Sequence, residues 1–414
     1  MSTVVIAAFG SRGDVAPFTG LGRRLHQAGH QVAIAACARY AELIGDAGLE
    51  FRLLPGDPEP ETPTDGMRKY FEEGHSHRTR KAIVPDLIEG MRPVGPAITK
   101  AAEDADILLT SVAATLPGYH VGQGLGIPTV GVFLLPTTPT GDFPPAVLGL
   151  RSMGRRGNRL IGQVAGLGER IFLPQINDLR RDLGLPPTTV RAIHREQHER
   201  RWPILHGFSQ HVVPRPSDWR PGLELTGYWW PHPQSSWTPP DDLLDFLAAG
   251  PPPVYFGYGT GGIGQGERLA ELTVAAARKA GVRAVVSGLD VHGDDVISVG
   301  NASFEWLFPR MAALVHHGGA GTTAIGIRAG VPAVTTPVIV DQHFWGRRLV
   351  QLGVSPDSIR YKDLSVDRLA VAIQDVLHDP SYRAGTRALS TKITAEDGAA
   401  PVIDLVDRLA SAKV

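Results

Sequence analysis

The stretch His316-His317-Gly318-Gly319-Ala320-Gly321-Thr322-Thr323 decides how the second half of this chain is organised. The apolar residues 312–315 before it are typical of a buried strand, and residues 324–329 after it are typical of a helix. A turn of small residues at a helix start leaves backbone N–H groups unpaired at the positive end of the helix dipole. We therefore expect an anion site here. The alternative is a plain strand-to-helix turn, but such a turn does not require two histidines.

Strand-like and helix-like segments alternate on both sides of this stretch. In the first half, strands are predicted at residues 4–9, 31–36, 51–54, 106–109, 128–135 and 204–208. In the second half, they are predicted at residues 254–258, 283–287, 296–299, 312–315 and 332–336. Helical segments separate most of them, which predicts an α/β fold with two Rossmann-like, doubly wound parallel sheets facing each other across a cleft.

The predicted domains are joined by a segment rich in proline and tryptophan. We expect a first domain at residues 1–214, a linker at 215–240 and a second domain at 241–395. Residues 396–414 are expected to form a terminal helix, and its return to the first domain is left open. Ligands bind at the carboxyl ends of parallel strands, so the loops after residues 9 and 315 are expected to face the cleft.

Composition excludes several classes of protein. A net charge of -1 gives no global field that would recruit nucleic acid, and Cys37, the single cysteine, excludes internal disulfides and Cys-based zinc sites. Neither a signal-peptide pattern nor an apolar run of about 20 residues is found, so a soluble, cytoplasmic protein is expected.

The run Gly257-Tyr258-Gly259-Thr260-Gly261-Gly262 matches the G-x-G-x-x-G pattern of dinucleotide-binding folds. Such folds place an acidic residue about 20 residues later, and Asp290 lies too far along the chain for that role. We therefore favour another interpretation, in which the backbone of Thr260 and its neighbouring glycines also contacts the anion bound by residues 316–323, which we call the His316 loop.

Two acidic positions are candidates for chemistry. Asp341-Gln342 follows a strand and starts a helix, and this pair suits sugar hydroxyls because Asp accepts and Gln both donates and accepts. Asp14 lies where the first strand turns into the first helix, a position from which a general base reaches a substrate hydroxyl. For both residues the alternative is an ordinary helix cap.

No metal site is predicted. Asp104-Ala105-Asp106 resembles a metal-binding pair but lies at the amino end of a strand, so a solvated turn is favoured. Glu72, Glu73, His75 and His77 fall in a polar segment without a strand to fix ligand geometry.

The motifs together resemble one enzyme family. Gly10-Ser11-Arg12-Gly13-Asp14-Val15-Ala16-Pro17 resembles the amino-terminal signature of vancomycin-type and sterol-type glycosyltransferases. Residues 304–309, the His316 loop, residues 329–332 and residues 341–346 are similar to the donor-binding signature of that family. Phe344-Trp345-Gly346 favours the sterol-type branch. One departure is Gly257-Tyr258-Gly259-Thr260, where the family usually has Gly-Phe-Gly-Ser.

The resemblance implies a GT-B fold and metal-independent, inverting transfer of a hexose from a UDP- or dTDP-sugar. By motif position, His317 and the backbone of residues 318–322 would hold the pyrophosphate, Asp341 and Gln342 would hold the sugar, and Asp14 would deprotonate the acceptor. The nucleotide sugar is a co-substrate, and no cofactor is expected. The expected donor-binding residues are Ser11, Thr260, Ser287, Gly288, Phe304, His317, Gly319, Ala320, Gly321, Thr322, Asp341 and Gln342.

The acceptor implied is a hydrophobic aglycone such as a sterol, a polyketide or a macrolide, bound by the first domain. Residues 55–85 and 136–158 are predicted as its walls, the second because of the apolar edge Phe143-Pro144-Pro145. Arg151, Arg155, Arg156 and Arg159 follow this edge; a weak contact with acidic lipid headgroups is one interpretation, and a solvated basic loop is the favoured one.

Two other functional classes and the oligomeric state remain open. A UDP-sugar 2-epimerase shares the two-domain architecture but acts without an acceptor. A non-catalytic nucleotide-sugar-binding protein would keep the donor motifs, and the presence of Asp14 argues against it. Both a monomer and a homodimer fit the sequence.

Overall fold

The computed structural model describes residues 1–57, 64–67, 77–233, 237–259, 266–300 and 302–412. The first domain contains a seven-stranded parallel sheet with the strand order β3-β2-β1-β4-β5-β6-β7. Its strands are rich in Val, Ile, Leu and Ala because helices cover both faces of the sheet. They are β1 Thr3–Ala7, β2 Gln31–Ala36, β3 Glu50–Leu53, β4 Ile107–Thr110, β5 Thr129–Phe133, β6 Ile204–His206 and β7 Leu223–Leu225.

The second domain contains a six-stranded sheet with the order β10-β11-β9-β8-β12-β13. All neighbours are parallel except β10, which pairs antiparallel with β11. The strands are β8 Val254–Gly257, β9 Ala284–Ser287, β10 His292–Gly293, β11 Val296–Val299, β12 Ala313–His316 and β13 Ala333–Thr335. The predicted class, an α/β protein with two doubly wound sheets, is confirmed.

Helices connect the strands and cover the sheets. In the first domain they are Arg12–Gln27, Ala41–Asp46, His77–Met91, Val94–Ala101, Thr115–Leu125, Gly154–Gly166, Leu173–Asp182 and Val190–Glu199. The later helices are Asp241–Ala248, Gly266–Ala280, Phe304–Leu307, Ala320–Arg328, Gln342–Gln351, Val366–His378, Pro380–Thr394 and Ala400–Ser411. In the part of the chain that the structure describes, no helix has the length and apolarity needed to cross a bilayer.

Several predicted elements differ from the structure. The sequence pattern predicts that the first helix begins at Pro17, because a proline is usually found at a helix start, but the helix begins at Arg12 and Pro17 lies inside it. Pro17 has no N–H, so the carbonyl of Gly13 lacks its usual helical donor. The apolar pattern of residues 160–183 predicts one helix, but the structure has two helices separated by a short 3₁₀ segment, Leu167–Phe172. The predicted linker contains β7, which adds an edge strand to the first sheet.

The strand orders indicate where a ligand binds, and aromatic pairs mark where the two domains contact each other. The order reverses between β1 and β4 in the first sheet and between β8 and β12 in the second, and a ligand crevice forms at such reversals. Aromatic pairs join the domains: the rings of Phe143 and Phe344 are 5.2 Å apart, and those of Phe208 and Trp345 are 5.9 Å apart. The last helix packs its buried Val402 and Val406 into the core of the first domain.

Candidate active site

A cavity of about 560 Å³ lies where the two domains face each other. Its wall includes eleven of the predicted site residues: Ser11, Asp14, Ser287, Phe304, His317, Gly319, Ala320, Gly321, Thr322, Asp341 and Gln342. Gly288 follows Ser287 with a φ of 78° and is not part of the cavity wall. Thr260 lies outside the described residues. The structure thus brings together residues from both domains that are distant in sequence.

The loop after β12 presents unpaired backbone N–H groups to the cavity. The helix begins at Ala320 with Gly319 as its N-cap, so the N–H groups of Ala320, Gly321 and Thr322 have no acceptor within the helix. Gly318 has a φ of 87°, and a Cβ there would lie 2.9 Å from the backbone oxygen of Gln342. The chain therefore turns sharply enough for the positive helix end to face the cavity.

The two histidines before this loop have different surroundings. The His316 ring is buried, and its Nδ1 accepts a hydrogen bond of 3.1 Å from the N–H of Gly318. The His317 ring lies between Gly259 and Gly319 and lines the cavity, and its Nδ1 has no partner among the described residues. Burial lowers the pKa of His316 to about 3 and that of His317 to about 4, so both rings are neutral at pH 7.

Asp14 is the third residue of the first helix, and its carboxylate lines the cavity. Ser11 fixes its orientation, because the backbone N–H and the hydroxyl of Ser11 donate to Oδ2 at 2.8 and 2.9 Å. The predicted alternative, a helix cap, is therefore also present: Ser11 is the N-cap and Asp14 bonds back to it. The roles of capping residue and general base are compatible because the capping bonds hold the carboxylate at the N-terminus of the helix, which faces the cavity.

Asp341 lies in the same cavity but is bound differently from a capping residue. Its Oδ2 accepts a 2.7 Å hydrogen bond from Trp345 Nε1, and its side chain makes no capping bond to the helix. Burial, and secondly the negative charge of Asp14, raise the pKa of Asp341 to about 6. The preceding residue, Val340, has a φ of 51°, which is strained for a β-branched residue and is typical of functional sites.

Gln342 has already used part of its hydrogen-bonding capacity. Its Oε1 accepts from the N–H groups of Val338 and Ile339 at 2.9 and 3.1 Å. The side-chain nitrogen is thus the group that remains for a ligand, and Gln342 offers a donor rather than the donor-and-acceptor pair that the sequence suggested.

The two helix starts that line the cavity come close together. A Cβ added to Gly321 would lie 3.9 Å from the Cα of Gly13, so the first turns of the helices Arg12–Gln27 and Ala320–Arg328 face each other. Both positive helix ends therefore point to the same gap, which favours a negatively charged ligand between the domains.

The apolar side of the cavity comes from residues that the sequence analysis did not select. They are Phe9, Leu43, Val132, Leu134 and Leu135, together with Pro231 and His232 of the predicted linker. The predicted walls at 55–85 and 136–158 contribute only Val147 among their described residues, because Phe143 packs against Phe344 in the domain contact instead. The residues at the carboxyl ends of β1 and β5 could have been predicted as part of this wall, because ligands bind at the carboxyl ends of parallel strands.

The acidic positions outside the cavity have structural partners or lie beyond the description. Asp104 forms an exposed ion pair with Arg52, and Asp106 accepts a 2.9 Å hydrogen bond from the N–H of Thr3. Glu72, Glu73 and His75 lie outside the described residues. Within the described ranges, no three His, Cys, Asp or Glu side chains form a metal-binding group.

Comparison with known families places this architecture. Residues 4–139 match the glycosyltransferase family 28 N-terminal domain, and residues 273–409 match the erythromycin biosynthesis protein CIII-like C-terminal domain. Among solved structures, a glycotransferase of kitacinnamycin matches with a TM-score of 0.71 at 19% identity over 99% of both chains. Glycosyltransferase VinC, solved in complex with dTDP, matches with a TM-score of 0.67 at 20% identity over 99% of this chain and 100% of that one. These likenesses show the GT-B fold.

Relatives of higher identity define the family. O-mycaminosyltylonolide 6-deoxyallosyltransferase of Streptomyces fradiae is 35% identical over 99% of this chain and 98% of its own length. A sterol 3-beta-glucosyltransferase of Arabidopsis thaliana is 32% identical over 97% of this chain, which spans 64% of that relative. The chain therefore belongs to the glycosyltransferase family that includes the sterol 3-beta-glucosyltransferases and O-mycaminosyltylonolide 6-deoxyallosyltransferase.

Proposed function

We propose that this chain transfers a hexose from a UDP- or dTDP-sugar to a hydroxyl group of a hydrophobic aglycone, with inversion and without a metal ion. The observation that carries the proposal is the position of Asp14, which lines the same cavity as the amide-lined start of the helix Ala320–Arg328. A base on one side and an anion-binding helix end on the other are what a single displacement at a sugar carbon requires.

The proposed step balances with these groups alone. Asp14 takes the proton of the acceptor hydroxyl, and the resulting oxygen forms a bond to the anomeric carbon. The bond from that carbon to the diphosphate oxygen breaks, and its electron pair leaves on the diphosphate. The N–H groups of Ala320, Gly321 and Thr322 and the neutral ring of His317 stabilise this developing charge. A single attack on the side opposite the leaving group inverts the anomeric centre.

The choice of substrates rests on the relatives and on the shape of the cavity. The names of the two relatives specify a sterol and a tylonolide-type acceptor, and the apolar side formed by Phe9, Leu43, Val132 and Leu135 suits such molecules. Asp341 and the amide nitrogen of Gln342 are proposed to contact the sugar hydroxyls. Both relatives are transferases, so the epimerase alternative has no support.

The direct test combines a panel of UDP- and dTDP-sugars with sterol and macrolactone acceptors. We expect a product heavier than the acceptor by one hexose residue, and an inverted anomeric centre by NMR. An arm with donor alone tests the alternative, since an epimerised sugar without any acceptor would contradict transfer. We expect activity to persist in excess EDTA; complete loss that magnesium restores would contradict the metal-free step.

Replacement of the proposed base tests the mechanism. Asp14→Asn should lower kcat by roughly 10²–10⁴-fold, the range for a lost general base, while nucleoside diphosphate binding stays near that of the wild type. Asp404→Asn, at an exposed aspartate outside the cavity, is the matched control and should leave kcat unchanged. Unchanged turnover in Asp14→Asn would remove this residue from the mechanism.

A further inference from the structure

Large apolar side chains are exposed along the helix Gly154–Gly166 and at its two ends. Met153 is 65% exposed, Leu160 62% and Val164 59%, and Leu150 and Leu167 are also exposed. Because Met153, Leu160, Val164 and Leu167 are spaced by seven, four and three residues, they share one side of the helix. We call these four residues the outer stripe.

The opposite side of this helix is polar or small and faces the protein. Asn158 and Gly162 are buried, and the arginines on this side are held by the first domain itself. Arg155 pairs with Asp142, and Arg159 pairs with Asp218 at 2.6 Å. A surface helix of a globular protein normally turns its apolar side toward the core, whereas the apolar side of this helix faces outward.

The segment that carries the outer stripe is rich in arginine. Residues 150–170 contain five arginines and one acidic residue, Glu169, in a chain whose net charge is -1. With Arg155 and Arg159 paired to the domain, Arg151, Arg156 and Arg170 remain, and none of them forms an ion pair with a carboxylate in the described part of the chain. Arg151 lines a pocket with Arg347 of the second domain. Arg156 lies three residues after Met153 and four before Leu160, and Arg170 lies three residues after Leu167, so two cations adjoin the stripe along the helical segment.

We propose that the chain docks on an anionic lipid bilayer through the outer stripe. An apolar helix side bordered by arginines lies naturally in a membrane interface, with its apolar side chains among the acyl chains and its arginines at the lipid phosphates. A protein partner would need a wider apolar surface than one projecting helix offers, since stable interfaces bury about 800 Å² on each side. The two arginine–aspartate pairs keep the helix on the domain while its stripe inserts.

The docking helix is close in sequence to the wall of the cavity. Val147 lines the cavity, and the backbone oxygens of Gly149 and Leu150 accept hydrogen bonds of 3.0 and 2.8 Å from Arg347 of the second domain. A docked enzyme would hold this wall near the bilayer, where a hydrophobic acceptor dissolves. That consequence rests on the proposed function, whereas the docking itself does not.

The test is co-sedimentation of the full chain with phosphatidylcholine vesicles that contain or lack phosphatidylglycerol. We expect binding only to the anionic vesicles, and weaker binding as salt rises. Leu160→Ser/Val164→Ser should weaken vesicle binding at least tenfold, because two aliphatic side chains that become buried in the bilayer contribute well over a factor of ten to the affinity. Arg156→Glu should weaken it as well.

The matched control is Leu244→Ser/Val371→Ser, which changes two exposed apolar residues of the second domain. It should bind vesicles like the wild type, and both double variants should keep the wild-type unfolding temperature and turnover with a water-dissolved acceptor. The proposal is overturned if the wild type ignores anionic vesicles or if the stripe variant binds them equally well. It is also overturned if light scattering shows a dimer that only the stripe variant disrupts, since the stripe would then contact a second copy.

Discussion

His316 and His317 are neighbours in the sequence, but one supports the loop and the other faces the cavity. His316 accepts a hydrogen bond from Gly318 within the turn, whereas His317 lines the cavity with an unpartnered Nδ1. The sequence identified both as members of an anion loop. The family resemblance named His317 alone for the pyrophosphate, but the two residues by themselves could not separate the roles, because these depend on which ring the strand β12 directs into the core.

This difference predicts that alanine at position 317 mainly weakens ligand binding, whereas alanine at position 316 mainly lowers stability. His317→Ala should weaken binding of a nucleoside diphosphate roughly tenfold, the effect of one lost hydrogen bond to a charged group, with little change in stability. His316→Ala should lower the free energy of unfolding by about 2 kcal/mol or more, because it leaves a cavity and an unpaired N–H at Gly318. Calorimetry and urea unfolding separate the effects, and equal losses of affinity and stability in both variants would contradict this assignment.

Asp341 predicts an unusual dependence of stability on pH. Its pKa is raised from 3.8 to about 6 in the folded chain, so the ionised form is disfavoured there. The free energy of unfolding is therefore not reduced by Asp341 below pH 4. It falls as the pH rises from about 4 to about 6, by roughly 3 kcal/mol in total. Asp341→Asn, which keeps an acceptor for Trp345, should be more stable than the wild type at pH 8 by up to that amount.

Urea unfolding at several pH values checks this expectation. The gain should disappear below pH 4, where the wild-type carboxyl is protonated in both the folded and the unfolded chain. An equal difference between variant and wild type at pH 4 and pH 8 would show that the ionisation of Asp341 is not the cause. The shift could not be predicted from the sequence, because burial and the approach of Asp14 both arise from packing between domains.

At the scale of helices and strands, periodic apolar segments were predictable and interrupted ones were not. The bounds of the strands Gln31–Ala36 and Val296–Val299 agree with the prediction, since each is a clear apolar pattern between turn residues. The strand Leu223–Leu225 was missed because it is three residues long and lies among prolines. Residues 154–159 of the helix Gly154–Gly166 were missed because their arginines and glycines suggest a loop, whereas residues 160–166 fall in a predicted helix.

The helix Gln342–Gln351 links the contact between domains to the part of the cavity wall formed by Asp341 and Gln342. Phe344 and Trp345 pack against rings of the first domain, and Arg347 donates to backbone oxygens of that domain. Trp345 also donates to Asp341. The Phe344-Trp345 pair thus has a packing role that its place in a donor signature did not reveal.

Trp345→Phe should shift the acidic limb of the donor kcat/KM profile to higher pH. The indole N–H favours the ionised form of Asp341, so its loss raises the pKa of that carboxyl further above about 6. Phe344→Leu is the matched control, because it trims the neighbouring aromatic contact between the domains, with Phe143, and removes no hydrogen bond to Asp341. Identical acidic limbs in both variants, each measured by initial rates from acidic to neutral pH, would contradict the role of Trp345.

At the scale of the whole molecule, the active arrangement depends on how closely the two domains approach each other. The facing sheets and the cleft were predictable, because alternating strands and helices imply parallel sheets with ligand loops at their carboxyl ends. The close approach of Gly13 and Gly321 was not, because it depends on the relative orientation of two separately folded units. Small residues at both positions let the helix starts lie near each other.

A graded series at Gly321 tests whether this approach sets the catalytic geometry. Gly321→Ala adds a Cβ at an ordinary contact distance of 3.9 Å from Gly13 and should leave kcat near that of the wild type. Gly321→Val adds two methyl groups in the same gap and should hold the domains apart, with kcat lower by about 100-fold, since a displacement near 1 Å costs that much. Nucleoside diphosphate affinity should change far less than kcat, because the remaining N–H groups of the loop belong to one domain. Small-angle scattering with bound nucleotide should show a larger radius of gyration for the valine variant alone, and a valine variant with wild-type kcat would separate the glycine contact from catalysis.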